Sequence, residues 1–254
     1  MRTTIWLLAS AVIIAALVTA IAAYLNLRSQ RAMGPERTHV VLIGASIGQA
    51  WRLADWPRRV QASGFTADSV AEWRFDKSES VAEVLARPAQ RFRLTRTYVR
   101  SLFRPLPRPD IVILKECSSY FPGDLRAYKQ SMQNWVQQLR ACNVQVVLAT
   151  VVPVTRVRAT RDLGKQNTLL EYNRWLRQYA QDQGISLIDL EAALRGDEEG
   201  SYLRDEFAAP DGSHLNARAY AVLDRTLLTV LCRMTPRGAS PSRGSAHRGQ
   251  GISP

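Results

Sequence analysis

The chain has 254 residues, 46% hydrophobic and 22% charged, and its 34 Lys and Arg against 22 Asp and Glu give a net charge of +12. This composition excludes a wholly disordered chain, a collagen-like repeat and a disulfide-rich miniprotein. Residues 39–234 suit one domain with a full core better than two small domains. Three cysteines without close spacing predict neither a disulfide framework nor a structural metal site.

Residues 1–27 are expected to form a transmembrane anchor. No residue from 5 to 25 is charged, and a helix of that length, rising about 1.5 Å per residue, is about 31 Å long, enough to cross a bilayer core. A cleaved signal peptide is the alternative, because Arg2 precedes the apolar run and residues 20–22 resemble a cleavage site. The run is longer than a usual signal-peptide core, which favours the anchor.

The rest of the chain divides into three parts. Residues 28–38 form an arginine-rich linker, and residues 235–254 are rich in Gly, Ser, Pro and Arg and are expected to be a disordered basic tail. Between them, short β-branched apolar runs predict parallel strands at 39–43, 111–114, 144–149 and 185–188. Helices are predicted at 125–140, 168–183 and 216–232. This alternation indicates a three-layer α/β domain with a mostly parallel sheet, whose ligands gather at the carboxyl ends of the strands.

The three histidines limit any acid/base mechanism near neutral pH. His39 opens the first predicted strand, at the end of the sheet opposite the ligand side, and His247 lies in the predicted tail. His214 remains, with Asp211 three residues upstream in a polar turn before the last predicted helix. This spacing lets one tight turn present Asp211 to one ring nitrogen while the other nitrogen faces a nucleophile. The alternative is that Asp211 caps the helix and His214 is a surface residue.

The candidate nucleophile follows the first predicted strand. Residues 44–48 read GASIG, a small-residue turn leading into a helix, so Ser46 is expected at the carboxyl edge of the sheet, beside free N–H groups that stabilise an oxyanion. Ser46 as a plain helix N-cap is the alternative. The run also fits the nucleophile elbow of α/β-hydrolases, but that elbow follows several earlier strands. We therefore exclude that fold.

A serine after the first strand, paired with a terminal D-x-x-H turn, resembles the SGNH or GDSL-type esterases and lipases over roughly residues 39–234. The resemblance implies a flavodoxin-like α/β sandwich. It also implies that Ser46 is the nucleophile, His214 the general base and Asp211 the acid that orients the base. No metal or organic cofactor is expected for this chemistry.

The oxyanion donors depart from the family pattern. Ala45 stands where the family has aspartate, the glycine of the second block is not evident in residues 71–78, and Cys117 stands at the place of the oxyanion-hole asparagine. Other groups are expected to contribute, and the sequence does not choose among them. The candidates are the backbone N–H of Ser46, the N–H groups around Asp76 and Lys77, and the side chains of Cys117, Ser118 and Ser119.

Cys117 itself is weighed as a nucleophile and is interpreted instead as a packed residue after a buried strand. The neighbouring Lys115 and Glu116 are interpreted as a solvated or structural pair. Cys142 and Cys232, on predicted helices, are interpreted as core residues.

A stripe of arginines is independent of the family pattern. Residues 87–108 contain seven arginines and no acid. The spacing of four of them places these side chains on one helical face, where they are candidates for binding anionic lipid or polymer; the alternative is a solvated helix face. The four are Arg93, Arg96, Arg100 and Arg104. No nucleic-acid motif accompanies them, and nucleic-acid binding is not expected.

These features together predict a membrane-tethered serine ester hydrolase. Its substrate would be an acyl, acetyl or carbohydrate-linked ester, with transfer to a second alcohol left open. The alternative is a protein that keeps the fold but binds anionic lipid or polyanion through the arginine stripe. Arginines after the apolar run favour a cytoplasmic domain, whereas the family resemblance favours the other side. We choose a single-pass anchor with an extracytoplasmic domain and make no prediction of oligomeric state.

Overall fold

A computed structural model describes residues 38–60, 70–75, 78–87, 108–117, 123–161, 163–196 and 201–234. The strands in these segments are β1 (His39–Ile43), β2 (Val70–Arg74), β3 (Ile111–Lys115), β4 (Gln145–Ala149) and β5 (Ser186–Ile188). The helices are α1 (Ser46–Ala50), α2 (Trp56–Val60), α3 (Ser78–Ala86), α4 (Leu125–Ala141), α5 (Arg156–Ala159), α6 (Leu163–Asp182), α7 (Leu190–Leu194) and α8 (Ala217–Met234). Single turns of 3₁₀ helix occur at Leu53–Asp55 and Asp205–Phe207.

The sheet is parallel throughout its described strands. Their order is β2-β1-β3-β4-β5, with β1 pairing with both β2 and β3. This is the flavodoxin-like order, in which the chain reverses its direction of winding between β1 and β3. The predicted parallel α/β fold is confirmed, and the carboxyl end of β1 lies at the switch point where such folds bind ligands.

Alternating strand residues supply the two cores. Val40 and Leu42 of β1 face one side of the sheet and pack with α1, α2, α7 and α8. Val41 and Ile43 face the other side and pack with α3, α4 and α6. Since both faces of the sheet are covered, the strands consist of nearly continuous apolar residues, as expected for a parallel sheet. The predicted three-layer arrangement is therefore observed.

Strand β2 is absent from the strands predicted from sequence because it carries charge. Glu72 lies on this edge strand and contacts His39 of β1 at 3.2 Å, and Arg87 donates to both of its carboxylate oxygens at 3.1 and 2.9 Å. Burial alone raises the pKa of Glu72, but the hydrogen bonds from His39 and Arg87 outweigh it and lower that pKa to about 2. An ion-paired edge strand lacks the continuous run of apolar residues by which a buried strand is identified in a sequence.

The structure refines several local expectations. Lys115 and Glu116, interpreted as a solvated or structural pair, are buried, each about 2% exposed, which leaves the structural interpretation; the Lys115 ammonium donates to the backbone oxygen of Glu116 at 2.9 Å. Cys142 is partly buried at the end of α4, but Cys232 is exposed on α8, so its assignment to the core is wrong. Its neighbours on the buried stripe of that helix, such as Leu231, face the core instead.

The predicted anchor, the basic linker up to residue 37 and the tail at 235–254 lie outside the described residues. Among the residues that the structure does describe, no helix is both long and apolar enough to span a bilayer.

Candidate active site

The turn after β1 carries Ser46 and is held by the edge strand β2. The indole N–H of Trp73 donates to the carbonyl of Gly44 at 2.9 Å, and the N–H of Gly44 donates to the carbonyl of Arg74 at 3.0 Å. Ser46 is the first residue of α1 and follows the N-cap Ala45. The alternative in which Ser46 serves as the N-cap is therefore wrong.

Gly48 is required by close packing against the same tryptophan. A Cβ atom at this position would lie 2.8 Å from a methyl group of Leu42 and 3.0 Å from two ring atoms of Trp73. The second glycine of the GASIG run thus permits α1 to sit directly on the sheet. It does not indicate the nucleophile elbow of an α/β-hydrolase.

Asp211 and His214 form a compact turn before α8. One oxygen of Asp211 accepts from the backbone N–H of Ser213 at 3.0 Å and from that of His214 at 2.9 Å. The other oxygen contacts Nδ1 of the His214 ring. Gly212 adopts a φ of +72°, a conformation that favours glycine. The carboxylate therefore fixes both the backbone and the ring of His214.

Asn216, and not Asp211, caps the last helix. Its side-chain oxygen accepts from the backbone N–H groups of Arg218 and Ala219, and its amide donates to the carbonyls of Glu206 and Ala208 at 2.7 and 3.2 Å. The capping alternative for Asp211 is therefore wrong. Asn216 ties the turn to the start of α8, so the position of the turn follows that of the helix.

Helix α8 is locked against the region that follows α1. The indole N–H of Trp51 donates to Asp224 at 2.7 Å, and Arg59 donates to both oxygens of the same carboxylate. This packing brings the two sequence motifs together, 168 residues apart in the chain. Nε2 of His214 lies 3.1 Å from Oγ of Ser46.

The three side chains form a continuous hydrogen-bonded series. With Nδ1–H of His214 facing Asp211, Nε2 is the acceptor for the hydroxyl of Ser46. A serine hydroxyl, an imidazole and a carboxylate in this order can remove the hydroxyl proton and stabilise the imidazolium that results. His214 and Asp211 are each 49% exposed, and Ser46 is partly buried, so the series is open to a substrate.

The Asp211 carboxyl is held in its ionised form. The backbone N–H of His214, then its ring, then the backbone N–H of Ser213 bind the carboxylate, and they hold its pKa well below its ordinary value. Burial opposes this only weakly. The acid that faces the imidazole therefore stays negative at pH values where an ordinary aspartate begins to take up a proton.

The predicted oxyanion donors are only partly described. The N–H of Ser46 lies in the first turn of α1, where a helix has no internal acceptor for it. Cys117 follows β3 at the same edge of the sheet and is buried. Asp76, Lys77, Ser118 and Ser119 lie outside the described residues, as do Arg93, Arg96, Arg100 and Arg104 of the arginine stripe. Among the described residues, no group of three or more His, Cys, Asp or Glu is arranged to hold a metal ion.

Two supports of the site carry no signal in the sequence. The backbone N–H of Thr155, after β4, donates to the carbonyl of Gly212 at 2.9 Å. Asn173 of α6 is fully buried, and its amide binds the N–H and carbonyl of Val151 and the carboxylate of Glu191, all at 2.7 to 2.8 Å. The segment after β4 is thereby fixed at one end by α6 and at the other by the D-x-x-H turn.

The sequence profile of the GDSL-like lipase/acylhydrolase family matches residues 42–222, a range that includes both motifs. The chain belongs to this family. Its ester-hydrolase resemblance, carried at first by Ser46 and the D-x-x-H turn, is thus confirmed at the level of the family. No curated protein sequence matches the chain.

Several solved structures of lipases and esterases share the fold at low sequence identity. A GDSL-like lipase from Bacteroides thetaiotaomicron has a TM-score of 0.56 at 12% identity, over 84% of this chain and 98% of that one. The lipase/acylhydrolase from Enterococcus faecalis has a TM-score of 0.54 at 17% identity, over 80% of this chain and all of that one (100%). An acetyl xylan esterase has a TM-score of 0.52 at 17% identity, over 75% of this chain and 98% of that one.

Proposed function

We propose that the protein is a serine ester hydrolase. Ser46 attacks the ester carbonyl, His214 removes its proton and later protonates the leaving alcohol, and Asp211 holds the ring and stabilises the imidazolium. The observation that carries the proposal is the 3.1 Å contact between Nε2 of His214 and Oγ of Ser46, made between motifs at opposite ends of the domain. Water then hydrolyses the acyl-enzyme, or a second alcohol accepts the acyl group.

The N–H of Ser46 is our first candidate for the oxyanion donor. It belongs to the residue that attacks, so it lies close to the carbonyl oxygen when the tetrahedral intermediate forms. Cys117 occupies the position of the family asparagine, and a thiol is only a weak donor. Since losing one donor costs roughly 10²- to 10³-fold in turnover, we expect a slower enzyme than one with the full set.

The substrate is proposed to be a carboxylic ester of an acyl, acetyl or carbohydrate-linked kind. Family membership supports the ester bond, and an acetyl xylan esterase is among the proteins of similar fold. Neither observation narrows the choice among these three kinds of ester. No cofactor is required by the proposed chemistry.

Turnover of 4-nitrophenyl acetate by the full chain in detergent tests the proposal. We expect wild-type turnover to fall by at least about 10³-fold in both Ser46→Ala and His214→Ala. Gln178→Ala, an exposed change on α6, is the matched control. Turnover that survives in Ser46→Ala would reject Ser46 as the nucleophile.

The same assay decides between the enzyme and the alternative, a catalytically impaired protein that binds anionic lipid or polyanion through Arg93, Arg96, Arg100 and Arg104. The replacement of the family asparagine by Cys117 favours that alternative. It predicts binding of anionic vesicles or polyanions without any turnover that depends on Ser46. Turnover lost in Ser46→Ala would instead favour the enzyme.

Membrane tethering through residues 5–25, with the domain outside the cytoplasm, is part of the proposal. The uncharged apolar run supports an anchor. A reporter active only after export and a second active only in the cytoplasm, each fused after Arg233, test the side. Activity from the cytoplasmic reporter alone would overturn the extracytoplasmic assignment.

A further inference from the structure

A cluster of exposed arginines lies beside the D-x-x-H turn. We call Arg158 and Arg161 the basic rim; both are exposed, the first on α5 and the second just after it. Arg156 of α5 lies over the ring of Tyr202, 5.3 Å from its centroid, and is not counted in the rim. The stretch 156–165 also contains Lys165 and a single acid, Asp162. The rim was not among the candidate sites predicted from sequence.

The rim lies directly against the turn that carries Asp211 and His214. The N–H of Thr155 donates to the carbonyl of Gly212 at 2.9 Å, and the Thr155 hydroxyl caps α5 by accepting from the N–H of Arg158. A Cβ atom at Gly212 would lie 3.2 Å from Cβ of Arg158. The Arg158 side chain therefore begins in contact with the residue next to Asp211.

The carboxylates that the structure describes do not pair with the two rim arginines. Asp211 is engaged with His214, Asp189 with Arg177, and Glu206 with Arg204. Within the described part of the chain, Arg158 and Arg161 make no ion pair. Positive charge is therefore left at this edge of the sheet, where a guanidinium can bind a carboxylate or phosphate through two parallel hydrogen bonds.

We propose that the basic rim binds an anionic group on the alcohol portion of the ester. The inference rests on the proposed function, in which His214 protonates the leaving alcohol and so has that portion of the substrate beside it. The rim adjoins the turn that bears His214, and therefore lies on the alcohol side of the site. Val157, 67% exposed and next to Arg158 in the chain, offers an apolar contact for the body of the alcohol.

The test compares acetyl esters that differ in charge on the leaving group. The full chain in neutral detergent is assayed with 3-acetoxybenzoate, 3-acetoxyphenyl phosphate and the neutral 3-acetoxybenzamide. Because exposed ion pairs change affinity by up to about fivefold each, we expect wild-type kcat/KM to favour an anionic ester over the amide by about three- to tenfold. The larger of the two preferences identifies carboxylate or phosphate as the preferred group.

The variant Arg158→Gln/Arg161→Gln is expected to bring these ratios close to one, and about 0.5 M salt to do the same in wild type. Arg233→Gln, on the last turn of α8, is the control and keeps the wild-type ratios. A half-succinate nitrophenyl ester, charged on its acyl side, should show no preference that depends on the rim. Ratios that are the same in wild type and in the double variant would overturn the proposal.

Failure of the proposed function gives a different result. If no ester shows turnover that is lost in Ser46→Ala, the hydrolase assignment fails. Titration calorimetry on Ser46→Ala then tests separately whether the rim binds the anionic group. Tighter binding of 3-acetoxybenzoate or 3-acetoxyphenyl phosphate than of the amide, lost in the rim variant, supports the inference. Equal affinity for all three overturns it.

Discussion

Trp73 donates its indole N–H to the carbonyl of Gly44 at 2.9 Å, so a residue of the edge strand β2 fixes the turn that carries Ser46. The same ring packs on Gly48, where no side chain fits. The position of the candidate nucleophile thus depends on a strand that contributes no group to the chemistry.

Trp73→Phe tests this dependence. An aromatic ring is kept, but the indole N–H and part of the packing area are lost; the hydrogen bond alone costs about 1 kcal/mol, so the unfolding midpoint falls by at least about 2–4 °C. A looser turn also lowers kcat for ester turnover, while KM changes little, because the lost interaction positions the nucleophile. Trp175→Phe is the control, because Trp175 of α6 packs against the core on the other side of the sheet. An equal loss of kcat in both variants would show that any loss of tryptophan packing lowers turnover.

Gly48→Ala is expected to be more harmful than a surface glycine substitution. The added Cβ would meet Leu42 and Trp73 at 2.8 to 3.0 Å, and overpacking of this kind costs about 1–3 kcal/mol. Gly164→Ala, exposed near the start of α6, provides the comparison. Thermal unfolding of the two variants followed by circular dichroism measures the difference, and equal midpoints would contradict the packing argument.

Asp211→Asn is expected to lower kcat by about 10³- to 10⁴-fold, because the amide can hold the imidazole in the wrong tautomer and no longer stabilises imidazolium. The pKa of Asp211 is lowered, so its carboxylate persists at pH values below the ordinary titration range of an aspartate. Loss of wild-type activity between pH 8 and pH 5 therefore does not come from Asp211. Asp182→Asn, exposed at the end of α6, is the control. If kcat and its pH dependence are unchanged in Asp211→Asn, Asp211 has no role in the mechanism.

The three candidate residues of the site are local in sequence. Ser46 follows an apolar strand directly, and Asp211 and His214 share one tight turn, so short motifs are enough to select all three as candidates. The parallel direction of the strands follows from the alternation of apolar runs and helical segments. Strand β2 escapes prediction because its Glu72 is paired across the sheet and its pattern is not apolar.

The supports of the site depend on contacts between distant segments. Nothing near Asn173 indicates that its amide binds Val151 and Glu191, and nothing near Thr155 indicates its bond to Gly212. The sequence leaves Lys115 either solvated or structural, because its burial is produced by layers packed from elsewhere in the chain. Such contacts appear only when the fold is assembled.

Asn173→Leu is expected to destabilise the domain strongly. It leaves the N–H and carbonyl of Val151 without a partner in a fully buried place and removes one of the donors to Glu191, which keeps Arg177, at a cost of about 3–5 kcal/mol. Asn134→Leu, exposed on α4, is the control and should shift the unfolding midpoint by a much smaller amount. A small effect of Asn173→Leu would mean that water or a neighbouring side chain replaces the amide.

Glu72 should make folding stability depend on acid pH. Its pKa falls from an ordinary 4.5 to about 2 in the folded protein, so its contribution is present above pH 4.5 and is lost as the pH falls towards 2. We expect Glu72→Gln to be less stable than wild type by about 1–3 kcal/mol at pH 7, with the difference shrinking as the pH approaches 2. Unfolding midpoints measured at pH 7, 4 and 3 check this, and a constant difference would contradict it.

The central claim is that Ser46 is an activated nucleophile, and labelling with a fluorophosphonate probe tests it most directly. The full chain is labelled as wild type, as Ser46→Ala and as Ser80→Ala, a control on α3 away from the triad. We expect labelling of wild type and Ser80→Ala and none of Ser46→Ala. Equal labelling of wild type and Ser46→Ala, or no labelling of any of the three, would contradict it.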